Sequence, residues 1–136
     1  MSRVKYLRQS IFPARFGITT DHGAYRRTLK RLKCDMEISE TNSMCAETMG
    51  FISGDKAGRH YVIMYFNLAR HDNIAEFVDT IAHECTHAWQ AVREHMGEDN
   101  AGRETEAYMI GWLTGQVLKL AIPSMGHKVG RLETCV

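Results

Sequence analysis

The chain has 136 residues, 44% of them hydrophobic, enough for a single domain with one core that needs no staples. Its formal charge of +1, with 24% charged residues, gives no overall electrostatic footprint for nucleic acid, and no nucleic-acid partner is expected. Four cysteines (Cys34, Cys45, Cys85 and Cys135) lack C-x-x-C spacing and fit reduced thiols better than a disulfide framework. Met1 to Tyr6 holds no apolar run of the secretory kind, and Met109 to Ile122 is too short for a bilayer and carries Gln116 and Lys119. A soluble, cytoplasmic protein without membrane contact is expected.

Residues 1–20 mix basic and apolar residues around Phe12-Pro13 and Gly17, and read as irregular or briefly extended. Thr20 or Asp21 is suited to cap a helix over about residues 23–33, with a narrow apolar stripe of Ala24, Tyr25, Leu29 and Leu32. The basic cluster from Arg26-Arg27 to Lys33 reads as a solvated helix face. From Cys34 to Ile52 the pattern suggests a hairpin: Met36 and Ile38 alternate with charged residues, Ser39 to Ser43 turns, and Met44 to Ile52 runs back. A Cys34–Cys45 bridge across it is a minor alternative.

Ser53 to Gly58 is a loop, and His60 to Leu68, rich in β-branched and aromatic residues, is the strongest strand signal in the chain. Asp72 or Asn73 then caps a long helix to about Met96, with Ile74, Phe77, Val78, Ile81, Cys85, Ala88, Trp89 and Val92 on one stripe. After a loop from Gly97 to Gly102, a second helix runs from about Arg103 to Leu120 and ends before Pro123. On it Glu106, Met109, Ile110, Leu113, Val117 and Leu120 share a face, and Gly111 and Gly115 suggest close helix approach. The expected fold is α+β over residues 1–136 as one domain: a small antiparallel sheet, a helix before it, and two packed helices.

The first of those two helices carries His83-Glu84-Cys85-Thr86-His87. Histidines four apart stand one turn apart on one helix face, so both imidazoles can reach one ion. This is the H-E-x-x-H arrangement of zinc hydrolases, in which the glutamate handles a proton and is not a ligand. At 100° per residue the two histidines fall nearly opposite the apolar stripe, with Glu84 at its flank and Cys85 within it. A catalytic zinc needs a third protein ligand. Glu106 fits, since it follows His87 after eighteen residues on the inner face of the next helix, where a carboxylate is costly unless paired or metal-bound. Glu104 and Asp99 are rivals. A closed structural site would instead recruit Cys135, His127 or Cys45. His71, His95 and Glu94 read as solvated.

With Glu106-Ala107 following His87 after eighteen intervening residues, the stretch from about 61 to 120 resembles the gluzincin pattern of thermolysin-like and aminopeptidase-type zinc peptidases. The size, Trp89 after the motif, and Glu106-Ala107-Tyr108 resemble small zincin-like proteins encoded by phages and prophages, which implies the host cytoplasm. The resemblance implies a minimal zincin-like fold, a Zn2+ cofactor held by His83, His87 and Glu106, Glu84 as general base, and a peptide or protein substrate. It also implies that the strand before the motif helix, Tyr61 to Leu68, lies along the cleft and pairs with substrate. Two departures stand out. Ile110 replaces the acidic residue that braces a zinc-bound histidine in thermolysin-like enzymes. No group is placed to stabilise an oxyanion, Tyr108, His60, His127 and His22 being candidates without supporting spacing. The alternative is a zinc-binding protein of this fold that binds a partner without cleaving it.

Overall fold

The computed structural model describes residues 3–7, 13–98, 102–121 and 123. Its organising strand is β4, His60–Phe66, in which every residue is buried. A run of apolar residues without alternation is what a strand covered on both faces requires. Strand β3, Ala46–Ile52, pairs antiparallel with it in the register Ala46↔Phe66 to Ile52↔His60. On its other side β2, Arg15–Thr19, pairs parallel, Arg15 opposite Tyr61 and Thr19 opposite Tyr65. A short β1, Lys5–Tyr6, closes that side antiparallel to β2, giving the order β1-β2-β4-β3.

The fold is α+β, as the sequence indicates, but the sheet is mixed, not antiparallel, and two of its strands come from the first twenty residues. β2 was hard to read because it is five residues long, has Gly17 at its centre, and pairs with a strand more than forty residues away. No turn signal marks such a pairing. The hairpin expected over 34–52 is also absent. Residues 35–44 hold no strand, Met36 is exposed, and β3 pairs forward to β4. Asn67 pins the approach to β3, its amide donating to the carbonyls of Asn42 (3.2 Å) and Met44 (3.1 Å).

Helix α1, His22–Arg31, lies between β2 and β3 in the chain, not before the sheet. The Asp21 carboxylate caps it by accepting from the Ala24 N–H at 3.0 Å. Tyr25, Leu29 and Leu32 pack it on one face of the sheet, against Met49, Phe51, Tyr61, Ile63 and Tyr65. The other face carries the long helix α2, Ile74–Met96, and α3, Arg103–Ala121. α2 crosses β3 and β4, while α3 packs on α2 and β2. Between them Phe16, Ile18, Val62, Met64, Phe66, Phe77, Ile81 and Trp89 are buried together with Met109, Leu113 and Val117 of α3. Fully burying each such side chain is worth about 1.5–3 kcal/mol.

Local chemistry fixes both ends of α2. Asn73 accepts from the Glu76 N–H at 2.9 Å, and the Glu76 carboxylate accepts from the Asp72 N–H at 2.9 Å. At the far end Gly97 takes φ +73°, and the Glu98 N–H donates to the Arg93 carbonyl at 3.0 Å, a Schellman closure that favours glycine. His71 is buried, not solvated as its loop position suggests: Nδ1 pairs with the Asn67 carbonyl (2.8 Å) and Nε2 with the Thr80 hydroxyl (2.9 Å), tying the preceding loop to α2. Cys34, Cys45 and Cys85 are free thiols, so no 34–45 bridge forms. Among the described residues no helix is long and apolar enough to cross a membrane.

The glycines that permit close approach are not Gly111 and Gly115, where an added Cβ would meet nothing within 4 Å. The tight contact is between β3 and α2, where a Cβ on Gly50 would lie 2.7 Å from the Ala91 Cβ. Gly50→Ala should therefore destabilise the protein by about 1–3 kcal/mol in urea titration. Ala91→Gly in the same chain should recover part of that loss; strictly additive losses would show that the two positions do not meet.

Candidate metal centre

The centre of α2 sorts its residues by the helical period. Ile81, Cys85, Ala88, Trp89 and Val92 are buried on the sheet side, and His83 and His87 stand exposed on the other. Cys85 belongs to the packing, as its place on the stripe implies, with burial pushing its thiol up to about 12. Thr86 turns its hydroxyl back onto the helix, donating to the Ala82 carbonyl at 2.9 Å.

The two imidazoles converge, with Nε2 of His83 and Nε2 of His87 3.1 Å apart. His87 Nδ1 lies 3.1 Å from the Gln90 side-chain oxygen. An amide oxygen only accepts, so this contact places the His87 proton on Nδ1 and leaves the Nε2 lone pair directed at His83. Nε2 of His83 then either carries a proton that it donates to His87 or presents a second lone pair, which a cation between the two nitrogens would satisfy. Two nitrogens bound to one tetrahedral zinc, each at about 2.05 Å, stand roughly 3.3 Å apart. The observed separation is close to that value, so the pair fits a divalent ion.

Glu84 leaves the helix toward β3 and is only 7% exposed. Its carboxylate accepts from the Thr48 hydroxyl at 2.5 Å. An ionised carboxylate at such a place needs hydrogen-bonding partners, and Thr48 supplies one. Glu84 and His87 share a cleft of about 450 Å³ with Glu47, Thr48, Gln90 and Glu94. Burial, together with the nearby Glu84 charge, raises the Glu47 carboxyl above its ordinary value, while the Tyr25 hydroxyl opposes the rise.

The strand along this cleft is β3, contributing Ala46, Glu47 and Thr48. β4, expected there, is hydrogen-bonded on both sides by β2 and β3 and cannot accept another strand. Its strong apolar signal marks a central strand, while the weaker signal of β3 marks an edge. Thr48 and Gln90 were not singled out in the sequence. Gln90, three residues after His87, had a local signal, since i,i+3 side chains meet on a helix; Thr48 had none.

Glu106 lies half-buried in the first turn of α3, three residues before the buried Met109, and its N–H donates to the Gly102 carbonyl at 3.1 Å. Glu104 is exposed, and Asp99 lies outside the described residues. Among the described residues no three His, Cys, Asp or Glu side chains come together closely enough to share an ion, so the structure brings His83 and His87 together without assembling Glu106 beside them. Of the groups considered for an oxyanion, Tyr108 is 74% exposed, His22 lies with Tyr25 and Tyr65 on the α1 side, and His127 is outside the described residues with Cys135.

His60 is buried at the start of β4, its ring stacked on that of His95 with centroids 4.1 Å apart. Burial and the neighbouring His95 lower its pKa to about 4. The unfolded chain binds this proton near pH 6.5 and the folded chain does not. Stability should then decline as pH falls from about 6.5 toward about 4. His60→Phe keeps a ring in the stack and should flatten the stability–pH curve in that window; an unchanged slope would assign the acid sensitivity elsewhere.

Compared with family models, curated proteins and solved structures, the chain matches none.

Proposed function

We propose that the chain is a zinc-dependent hydrolase of the metallopeptidase type, with a peptide or protein as substrate. The carrying observation is the convergence of the His83 and His87 Nε2 atoms, 3.1 Å apart, at an exposed helix face whose neighbour Glu84 reaches into the adjoining cleft. His83 and His87 would hold the ion, with Glu106 as third ligand. Its half-buried place, one turn before Met109 on the face of α3 that packs on α2, supports that assignment. Zinc, when bound, supplies Lewis acidity, which polarises a carbonyl and brings the pKa of water to roughly 7.

The remaining parts belong to the chain's own residues. Glu84 accepts the proton of the attacking water and delivers it to the leaving amine. Thr48 holds the Glu84 carboxylate by one oxygen and so aims the other. Gln90 keeps His87 in the tautomer whose Nε2 is free to bind, the task that Ile110 cannot perform. β3, unpaired on its outer side among the described residues, offers backbone groups to an extended peptide lying in the cleft.

One equivalent of zinc per chain is expected by metal analysis, with affinity reduced about 10–100-fold or more in Glu106→Ala and in Gln90→Ala. Glu84→Gln should remain folded and zinc-loaded while peptide hydrolysis drops by about 10²-fold or more. A wild-type protein that takes up no zinc under replete conditions would overturn the proposal. A zinc-loaded Glu84→Gln variant with full biological effect would instead assign the protein to partner binding without cleavage.

A further inference from the structure

The overall charge balance hides a strong segregation. Residues 1–33 hold nine Lys and Arg against one acid, Asp21, while residues 34–136 hold eight against fifteen acids. Much of the basic excess is gathered toward β1, at the edge of the sheet opposite β3. Three joined depressions lie there. One, of about 560 Å³, is lined by Arg15, Arg31, Tyr6 and Tyr61. Arg31 carries it into a second with Arg3 and Arg27, and Arg15 into a third with Arg59 and the stacked His60–His95 pair.

Among the described residues no acid lines any of the three. The one ion pair among the described residues, Arg26–Glu40, uses none of these five arginines. Their guanidinium groups therefore share one trough without a paired carboxylate. Self-repulsion of that kind destabilises the folded chain, and a bound polyanion relieves it.

The aromatic rings narrow the choice of polyanion. Tyr6 is 39% exposed and sits over Gly17, where an added Cβ would come within 3.0 Å of the Tyr6 ring. It meets Tyr61 edge-to-face at 6.3 Å, and Tyr61 is in turn stacked on Phe51 at 6.0 Å. A ring held this way among arginines offers a fixed π surface beside cations. An acidic polypeptide would use only the cations, and a duplex keeps its bases stacked inside. A single strand uses both, its phosphates on the arginines and an unstacked base on the ring. We infer that the trough formed by Arg3, Arg15, Arg27, Arg31 and Arg59 with Tyr6 binds single-stranded nucleic acid. The trough shares no residue with the cleft at Glu84, so this inference is independent of the hydrolase reading.

Fluorescence anisotropy of the full chain with labelled oligo-dT and oligo-U of about 20 nucleotides tests it. Both the log affinity and its dependence on log salt are read; four or five phosphate contacts predict a slope of about −3. Arg15→Glu with Arg31→Glu, both at exposed positions, should weaken binding at least about tenfold and flatten the slope by roughly 1.4. Tyr6→Ala should weaken it about fivefold or more with the slope unchanged, and Glu84→Gln should bind as wild type. Circular dichroism of each variant separates lost binding from lost folding, and Arg70→Glu, exposed beyond the opposite end of β4 from Arg59, serves as a charge control. Tighter binding of dT or of U would name DNA or RNA as the source, and either supports the inference. It is overturned by no binding of either strand at low salt, by an affinity that the double Arg variant leaves unmoved, or by equal affinity for duplex. Displacement by polyglutamate together with a neutral Tyr6→Ala would assign the trough to an acidic polypeptide and overturn it as well.

Discussion

The candidate centre depends on how closely the edge strand β3 approaches the helix that carries the histidines. Gly50 leaves room for Ala91, and one strand alternation away Thr48 reaches the Glu84 carboxylate. These two contacts are of different kinds and act together. The first is steric and sets the spacing; the second is polar and makes a nearly buried carboxylate tolerable at that spacing. A larger residue at 50 would widen the gap and strand the carboxylate away from its hydroxyl. The packing of the fold and the chemistry of the cleft are thus set by the same few atoms.

β4 explains why the two edges of the sheet can differ so much. Because it is covered by α1 on one face and by α2 on the other, it carries the core and leaves polar work to the outer strands. One outer strand, β3, lies against the histidine-bearing helix. The other, β1, is two residues long and stands among arginines. Short, charged edges resist unwanted strand pairing. The longer β3 keeps backbone groups unpaired on its outer side among the described residues.

The histidine pair shows what one turn of a helix arranges by itself. Spacing by four residues brings the rings together, but their useful alignment needs a tautomer, and Gln90 supplies the acceptor that selects it. Glu106, proposed as the third ligand, is of another kind. It belongs to a separate helix and does not stand beside the pair among the described residues; bringing it there would depend on the packing of α3 on α2 and on the rotamer of one flexible side chain.

What the sequence determined by itself is what local interactions control. The three helices with bounds good to a residue or two, a cap at Thr20 or Asp21 and at Asp72 or Asn73 (the structure selects Asp21 and Asn73), the buried stripe of α2 apart from the exposed Val78, and the outward placement of His83 and His87 all follow from the helical period and from side chains meeting neighbouring backbone. Strand β4 was legible too, because burial on both faces leaves a continuous apolar run. The tertiary structure alone decided that β2 joins β4 in parallel, that β3 and not β4 borders the cleft, and that Thr48 meets Glu84. It also decided that His71 is buried and that Gly50, not Gly111 or Gly115, marks the close approach. Each of these joins residues distant in the chain, and such pairings are chosen by the fit of whole surfaces, for which no short stretch of sequence carries a signal.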